Sequence, residues 1–137
     1  MERHFELSDS EFEKQFINCK LNPDIFSHEA HLRLAWINIK KYGIEKSKSN
    51  IQIQLKKYVK IVGEEDKYNA TLTLAAIKAV YHFILKSDSD SFEKFINEFP
   101  RLKHNFKELM SCHYGFDIYN SKNAKTKFLE PDLLPFD

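Results

Sequence analysis

Across 137 residues only three glycines interrupt the chain, Gly43, Gly63 and Gly115, and between them apolar residues recur at helical spacing over long stretches. Strict alternation is confined to NIQIQL, residues 50–55, and the helical period on either side outweighs it. Hairpin signals are missing, so the pattern dictates an all-α fold in which the glycines punctuate helices.

The helix signals are explicit. Ser8 and Glu11 make an S-x-x-E capping box for a first helix running to about Cys19, with Phe12, Phe16 and Cys19 on one side. Asn22-Pro23-Asp24 breaks it. Ser27 caps a second helix that ends at Gly43, with Lys40 and Lys41 in its last turn, where cations suit the helix dipole. A third covers about Ile44 to Val62. It places Ile51, Leu55, Tyr58, Val59 and Val62 on one side and Lys46, Lys48, Lys56, Lys57 and Lys60 on the rest, which reads as a solvated face. ATLTLAAIKAVYHFIL, residues 70–85, is apolar nearly all round and is expected at the centre of a bundle. Asp90 and Glu93 cap a fifth helix to about Glu98, Pro100 opens a sixth reaching about Met110, and Ser121 starts a short last turn. The closing EPDLLPFD carries two prolines and cannot be helical, but its leucines and Phe136 predict that it docks. The expectation is a single helical domain over 1–137, a compact bundle of five to seven helices with a docked non-helical tail.

Bulk properties exclude several function classes. The formal charge of +1 supplies no field that would draw the chain onto nucleic acid or anionic lipid. Cys19 and Cys112 belong to no CxxC pair, which argues against a structural zinc site or a disulfide framework and for reduced thiols. MERHFELSDSEFEK lacks an apolar signal-peptide core, and no apolar run is long enough to span a bilayer. A soluble cytoplasmic protein is expected, with no membrane partner.

SHEAHLRLAW, residues 27–36, is the best chemical lead. At 100° per residue, His28 and His31 fall near the arc of Leu32, Ala35, Ile39 and Tyr42, opposite Glu29 and Arg33, so both rings are expected to point inward. The positive end of the helix dipole disfavours imidazolium there, and a neutral imidazole is what a general base or metal ligand needs. Against this stands plain packing, with each ring satisfied by a carbonyl or buried water. A divalent metal at His28 and His31 lacks its further ligands, because no H-E-x-x-H or E-x-x-H partner helix occurs.

Other candidates read as structure. His4 and His104 lie among charged neighbours and are expected to face solvent, and His82 shares a polar stripe with Lys78. Cys112 and His113 are adjacent, so their side chains diverge. Asp88, Asp90 and Glu93 are explained by capping, and Trp36 by core packing. Phe92, Phe95 and Phe99 in SFEKFINEF have the spacing of a core stripe or of a homodimer seat.

FSHEAHLRLAW, KYNATLT and HYGFDIYNSKNAKTKFLEPDLLPF together resemble three ordered blocks of a family of small bacterial all-helical proteins with no assigned activity. The likeness runs from about Phe26 to the end. It marks His28, His31, Trp36, Tyr68, Thr71, Thr73, Ser121, Pro131 and Asp132 as matching positions. Where the family pattern has His-Glu this chain has Asn69-Ala70, and Lys125 replaces an arginine. If the blocks converge, the resemblance implies His28 and His31 at one helix mouth facing the second block at another. Asn69 is a poor metal ligand and Ala70 is none, so a metal held by relatives would be lost here.

The functional expectation is a semi-polar cleft holding a small polar molecule. His28 or His31 is its neutral base, Asn69 and Thr73 orient the ligand, Trp36 or Tyr114 forms an apolar wall, and Tyr68 and His113 stand nearby. The alternative is a non-catalytic interaction module whose histidines are structural, with the lysine-rich third helix as its exposed face. Nucleic acid binding through those lysines ranks last.

Overall fold

The protein, described here as a computed structural model over residues 1–136, is all-α. Among the described residues it has eight α-helices, three short 3-10 turns and no strand. Among these residues no helix is long and apolar enough to cross a membrane. The chain separates into two compact units, the first comprising Met1–Tyr68 and the second beginning at Asn69.

In the first unit a 3-10 turn, Arg3–Glu6, leads into α1 (Asp9–Ile17), and a second such turn, Pro23–Ile25, leads into α2 (His28–Tyr42) and α3 (Ile44–Ile61). The capping box forms as the spacing predicts, with Glu11 N donating to Ser8 Oγ and Ser8 N to the Glu11 carboxylate. Gly43, at φ +86°, ends α2 and starts α3, a backbone position that favours a residue without Cβ. α2 packs on α3, and α1 on both. Phe12, Phe16 and Tyr58 fill the space between, with Phe26 against all three rings. Burial pushes the Tyr58 hydroxyl up to about 12, and it donates to Leu21 O at 2.8 Å. Glu13, also buried, holds Lys41 and Tyr42 at 2.8 Å each, tying α1 to the end of α2.

The second unit holds α4 (Ala70–Ile84), α5 (Phe92–Glu98), α6 (Arg101–His104), α7 (Phe106–His113) and α8 (Lys122–Thr126). α4 has no exposed residue. The helix expected from Pro100 to Met110 is two, because Asn105 leaves the helical region at φ −129°, ψ 31°. α5 is capped by Ser91, whose hydroxyl accepts from Lys94 N, and not by Asp90, which pairs with Lys94 Nζ instead. Phe92 and Phe95 are buried, and Phe99 packs on Phe83 and Phe95. Phe92 and Phe95 of that stripe belong to the core, and Phe99 is half-buried beside them.

The tail docks through polar atoms more than through its leucines, since Leu133 and Leu134 stay more than half exposed. Thr71 Oγ1 donates to Lys127 O (2.9 Å) and accepts from Leu129 N (3.1 Å). Tyr114 Oη donates to Leu129 O, Gly115 N to Asp132 Oδ1, and Leu133 N to His113 O. A Cβ at Gly115 would lie 3.1 Å from Asp132 Oδ2, a tight approach that would oblige the Asp132 carboxylate to shift by a few tenths of an ångström. Thr71→Val keeps the volume but deletes both bonds of the hydroxyl. It should cost ~1–2 kcal/mol in urea unfolding and speed amide exchange at Leu129.

Candidate functional site

Arg33 organises the first unit. Its guanidinium, 4 % exposed, donates from Nη1 to His4 O (2.6 Å), and from Nη2 to Leu7 O (2.8 Å) and Asp9 Oδ1 (2.9 Å). The same group lies over the Phe5 and Phe12 rings. A planar five-donor fork suits this position because a lysine could not reach two carbonyls and a carboxylate together.

His4 is fully buried, a correction to its expected solvent-facing place. Its Nε2 sits 2.6 Å from Glu29 Oε1 and 3.8 Å from Glu2 Oε1, while Arg33 Nη1 approaches its Nδ1 at 3.3 Å. Guanidinium can only donate, so Nδ1 accepts and Nε2 carries the proton toward Glu29. Burial lowers the His4 pKa, outweighing the Glu29 bond and charge that raise it, and Arg33 lowers it further. Ser27 Oγ donates to Glu2 and accepts from Ala30 N at the mouth of α2. Among the described residues, Glu2, His4 and Glu29 form a group of three metal-ligating side chains, with ligand atoms all within 4.8 Å of one another.

His28 and His31 are exposed, whereas Glu29 and Arg33 are buried, the reverse of the expected facing. α2 is buried continuously from Leu32 to Ile39, so its inward surface is wider than a single arc. The N-terminal 3-10 turn then covers the side that holds Glu29 and Arg33. His31 Nδ1 lies 2.8 Å from Ser27 O. A carbonyl only accepts, so Nδ1 carries the proton and Nε2 presents its lone pair. The ring stacks on Phe26 at 3.8 Å and 16°. His31 keeps solvent contact although protein crowds it closely. That crowding, helped by the charge of His28, depresses its pKa against the opposing pull of the Ser27 bond. Trp36 is core, 4 % exposed, with Lys40 Nζ 6.0 Å from its ring, and half-buried Tyr68 has Lys56 over its ring at 5.4 Å.

The expected ligand-orienting residues of the second unit are engaged in structure. Asn69 caps α4, its Oδ1 accepting from Leu72 N and its Nδ2 donating to Ile118 O. Thr73 Oγ1 donates to Asn69 O at 2.7 Å. His113 stacks on Phe136, with Nδ1 donating to Leu134 O. Tyr114 is buried, its hydroxyl pushed up to about 12 by burial, then by the charges of Glu130 and Asp132. These side chains serve a cap and a tail anchor.

The second block of the sequence thus has a structural account in Asn69 and Thr71, and the third in Ser121, which caps α8, and in Asp132. The first block divides. Its unforeseen partners are Glu2, His4 and Asp9, and what links them to it is the isolated arginine in a buried stretch of α2. No protein-family profile, curated protein or solved structure matches the chain.

Both His4 and His31 have folded-state pKa values below the ordinary 6.5. The unfolded chain therefore binds more protons below that pH, and their stabilisation, complete above about pH 6.5, is lost as pH falls from there toward the folded values. Urea midpoints measured from pH 7.5 to 5 should fall below about pH 6.5, and less steeply in His31→Gln.

Proposed function

We propose that the chain binds a small polar ligand at the exposed mouth of α2, where His31 offers Nε2 as a neutral acceptor and His28 lies one turn away. The observation that carries this reading is the bond between His31 Nδ1 and Ser27 O, which orients the ring and assigns its proton. Stacking on Phe26 removes the other freedom of the imidazole. The ligand class is a molecule with an acidic O–H or N–H facing Nε2, and the chemistry available to His31 is proton abstraction from it. Kinship with the small bacterial helical family belongs to this proposal, since its histidine block coincides with the mouth. So does a cytoplasmic setting, which the free thiols of Cys19 and Cys112 suit.

Thermal-shift screening of polar metabolites against wild type and His31→Gln tests the site. A ligand response in wild type that vanishes in a folded His31→Gln supports it, and an equal response in both refutes it. Nitrogen-15 spectra at pH 7.5 should show His31 protonated at Nδ1 and not at Nε2; the opposite tautomer would remove the acceptor.

A second reading draws on α3. Lys46, Lys57 and Lys60 are exposed on one stripe with Ile53 and Ile61, which are 69 % and 62 % exposed. Lysines ringing exposed isoleucines complement an acidic protein segment with an apolar side, and repel a second copy of the same face. An acidic amphipathic helical peptide should bind wild type with affinity that falls with salt, and bind Lys57→Glu/Lys60→Glu at least ~10-fold more weakly. Equal binding of both proteins would count against this face.

A further inference from the structure

We propose that Glu2, His4 and Glu29, with Ser27 beside them, form a binding site for one divalent transition-metal cation of the zinc class. The site is separate from the His31 acceptor and does not depend on it. Its ligand atoms are the His4 Nε2 and one carboxylate oxygen from each glutamate, all within 4.8 Å of one another.

Bonds of about 2.0–2.2 Å around a tetrahedral ion place neighbouring ligand atoms roughly 3.3–3.5 Å apart. Nε2 to Glu2 Oε1, at 3.8 Å, needs to close slightly, and Nε2 to Glu29 Oε1, at 2.6 Å, needs to open by under an ångström. Three protein ligands leave a fourth position for Ser27 Oγ, already bonded to Glu2, or for water.

The donor set selects the ion. An imidazole nitrogen favours zinc and its transition-metal neighbours over magnesium and calcium, and the lack of thiolate disfavours copper(I). Charge also matches. Two carboxylates bring −2 against a divalent cation, while the nearby Arg33 charge is directed to Asp9 Oδ1 at 2.9 Å. His4 and Glu29 are buried, whereas the Glu2 side chain retains about a third of its exposure and gives a route in.

One contact opposes binding. The cation needs the Nε2 lone pair, so the proton now on Nε2 moves to Nδ1, where Arg33 Nη1 stands 3.3 Å away. Arg33 Nη1 keeps its 2.6 Å bond to His4 O, but the change sets two N–H groups facing each other at 3.3 Å, so binding requires the guanidinium to turn that donor aside; the charge of the ring is unaltered.

The probe is Zn2+ added to the tag-free full chain after EDTA treatment, followed by calorimetry and thermal unfolding, with Co2+ absorption as a report on coordination. One saturable equivalent, a raised unfolding temperature and Co2+ d–d bands support the site. Glu2→Gln leaves Ser27 an acceptor, its apo unfolding temperature reports whether the fold is kept, and it should weaken Zn2+ binding at least ~10-fold. His28→Gln/His31→Gln should bind Zn2+ as wild type does, which separates this site from the exposed pair. Absence of saturable binding overturns the proposal, as does undiminished affinity in Glu2→Gln or loss of binding in the His28/His31 variant.

Discussion

The first unit depends on the burial of one guanidinium. Arg33 lies within the apolar run of α2, and removing a cation from water is tolerable only where every donor finds a partner. Those partners come from the first nine residues: the carbonyls of His4 and Leu7, and the carboxylate of Asp9. The 3-10 turn Arg3–Glu6 is thereby laid along α2, carrying His4 to Glu29. Because the guanidinium also meets His4 Nδ1, it sets which ring nitrogen holds the proton. Backbone placement, side-chain tautomer and the cluster of Glu2, His4 and Glu29 all follow from that one buried charge.

The same hydrogen-bonding logic assigns protons elsewhere. His31 donates from Nδ1 to Ser27 O and stacks on Phe26, while His113 donates from Nδ1 to Leu134 O and stacks on Phe136. The arrangement serves different ends. In His113 the carbonyl belongs to the tail, so the bond anchors a chain end. In His31 the carbonyl belongs to the cap of its own helix, so the bond aims the ring within that helix and anchors no distant segment. Residue type and even ring geometry are therefore insufficient to mark a site; what the other nitrogen faces is decisive.

Motif-like blocks owe much of their character here to capping and anchoring. KYNATLT contains an N-cap and a hydroxyl that binds both Lys127 O and Leu129 N, and the last block contains a second N-cap and the Asp132 partner of Gly115 N. Such contacts demand specific polar residues at specific offsets, as an active site does. A sequence pattern alone does not separate the two demands. The backbone partners do, and they lie 49 to 58 residues away from Asn69 and Thr71.

The amino-acid sequence by itself determined what is local. Helix starts at Ser8, Ser27 and Ser121, ends at Gly43 and Gly63, and the all-α class follow from hydrogen bonds and dihedral preferences acting within about four residues. Tertiary structure decided the rest. Helical periodicity divides α2 into an inner and an outer face but is blind to a distant segment that covers the outer one, so His28 and His31 came to solvent while Glu29 and Arg33 were buried. His4 reads as polar surface because its neighbours are charged, and it is interior because a buried carboxylate and a buried guanidinium 25 and 29 positions along the chain require it there. Burial of polar groups is paid in pairs, and the partner of each pair is named by the fold.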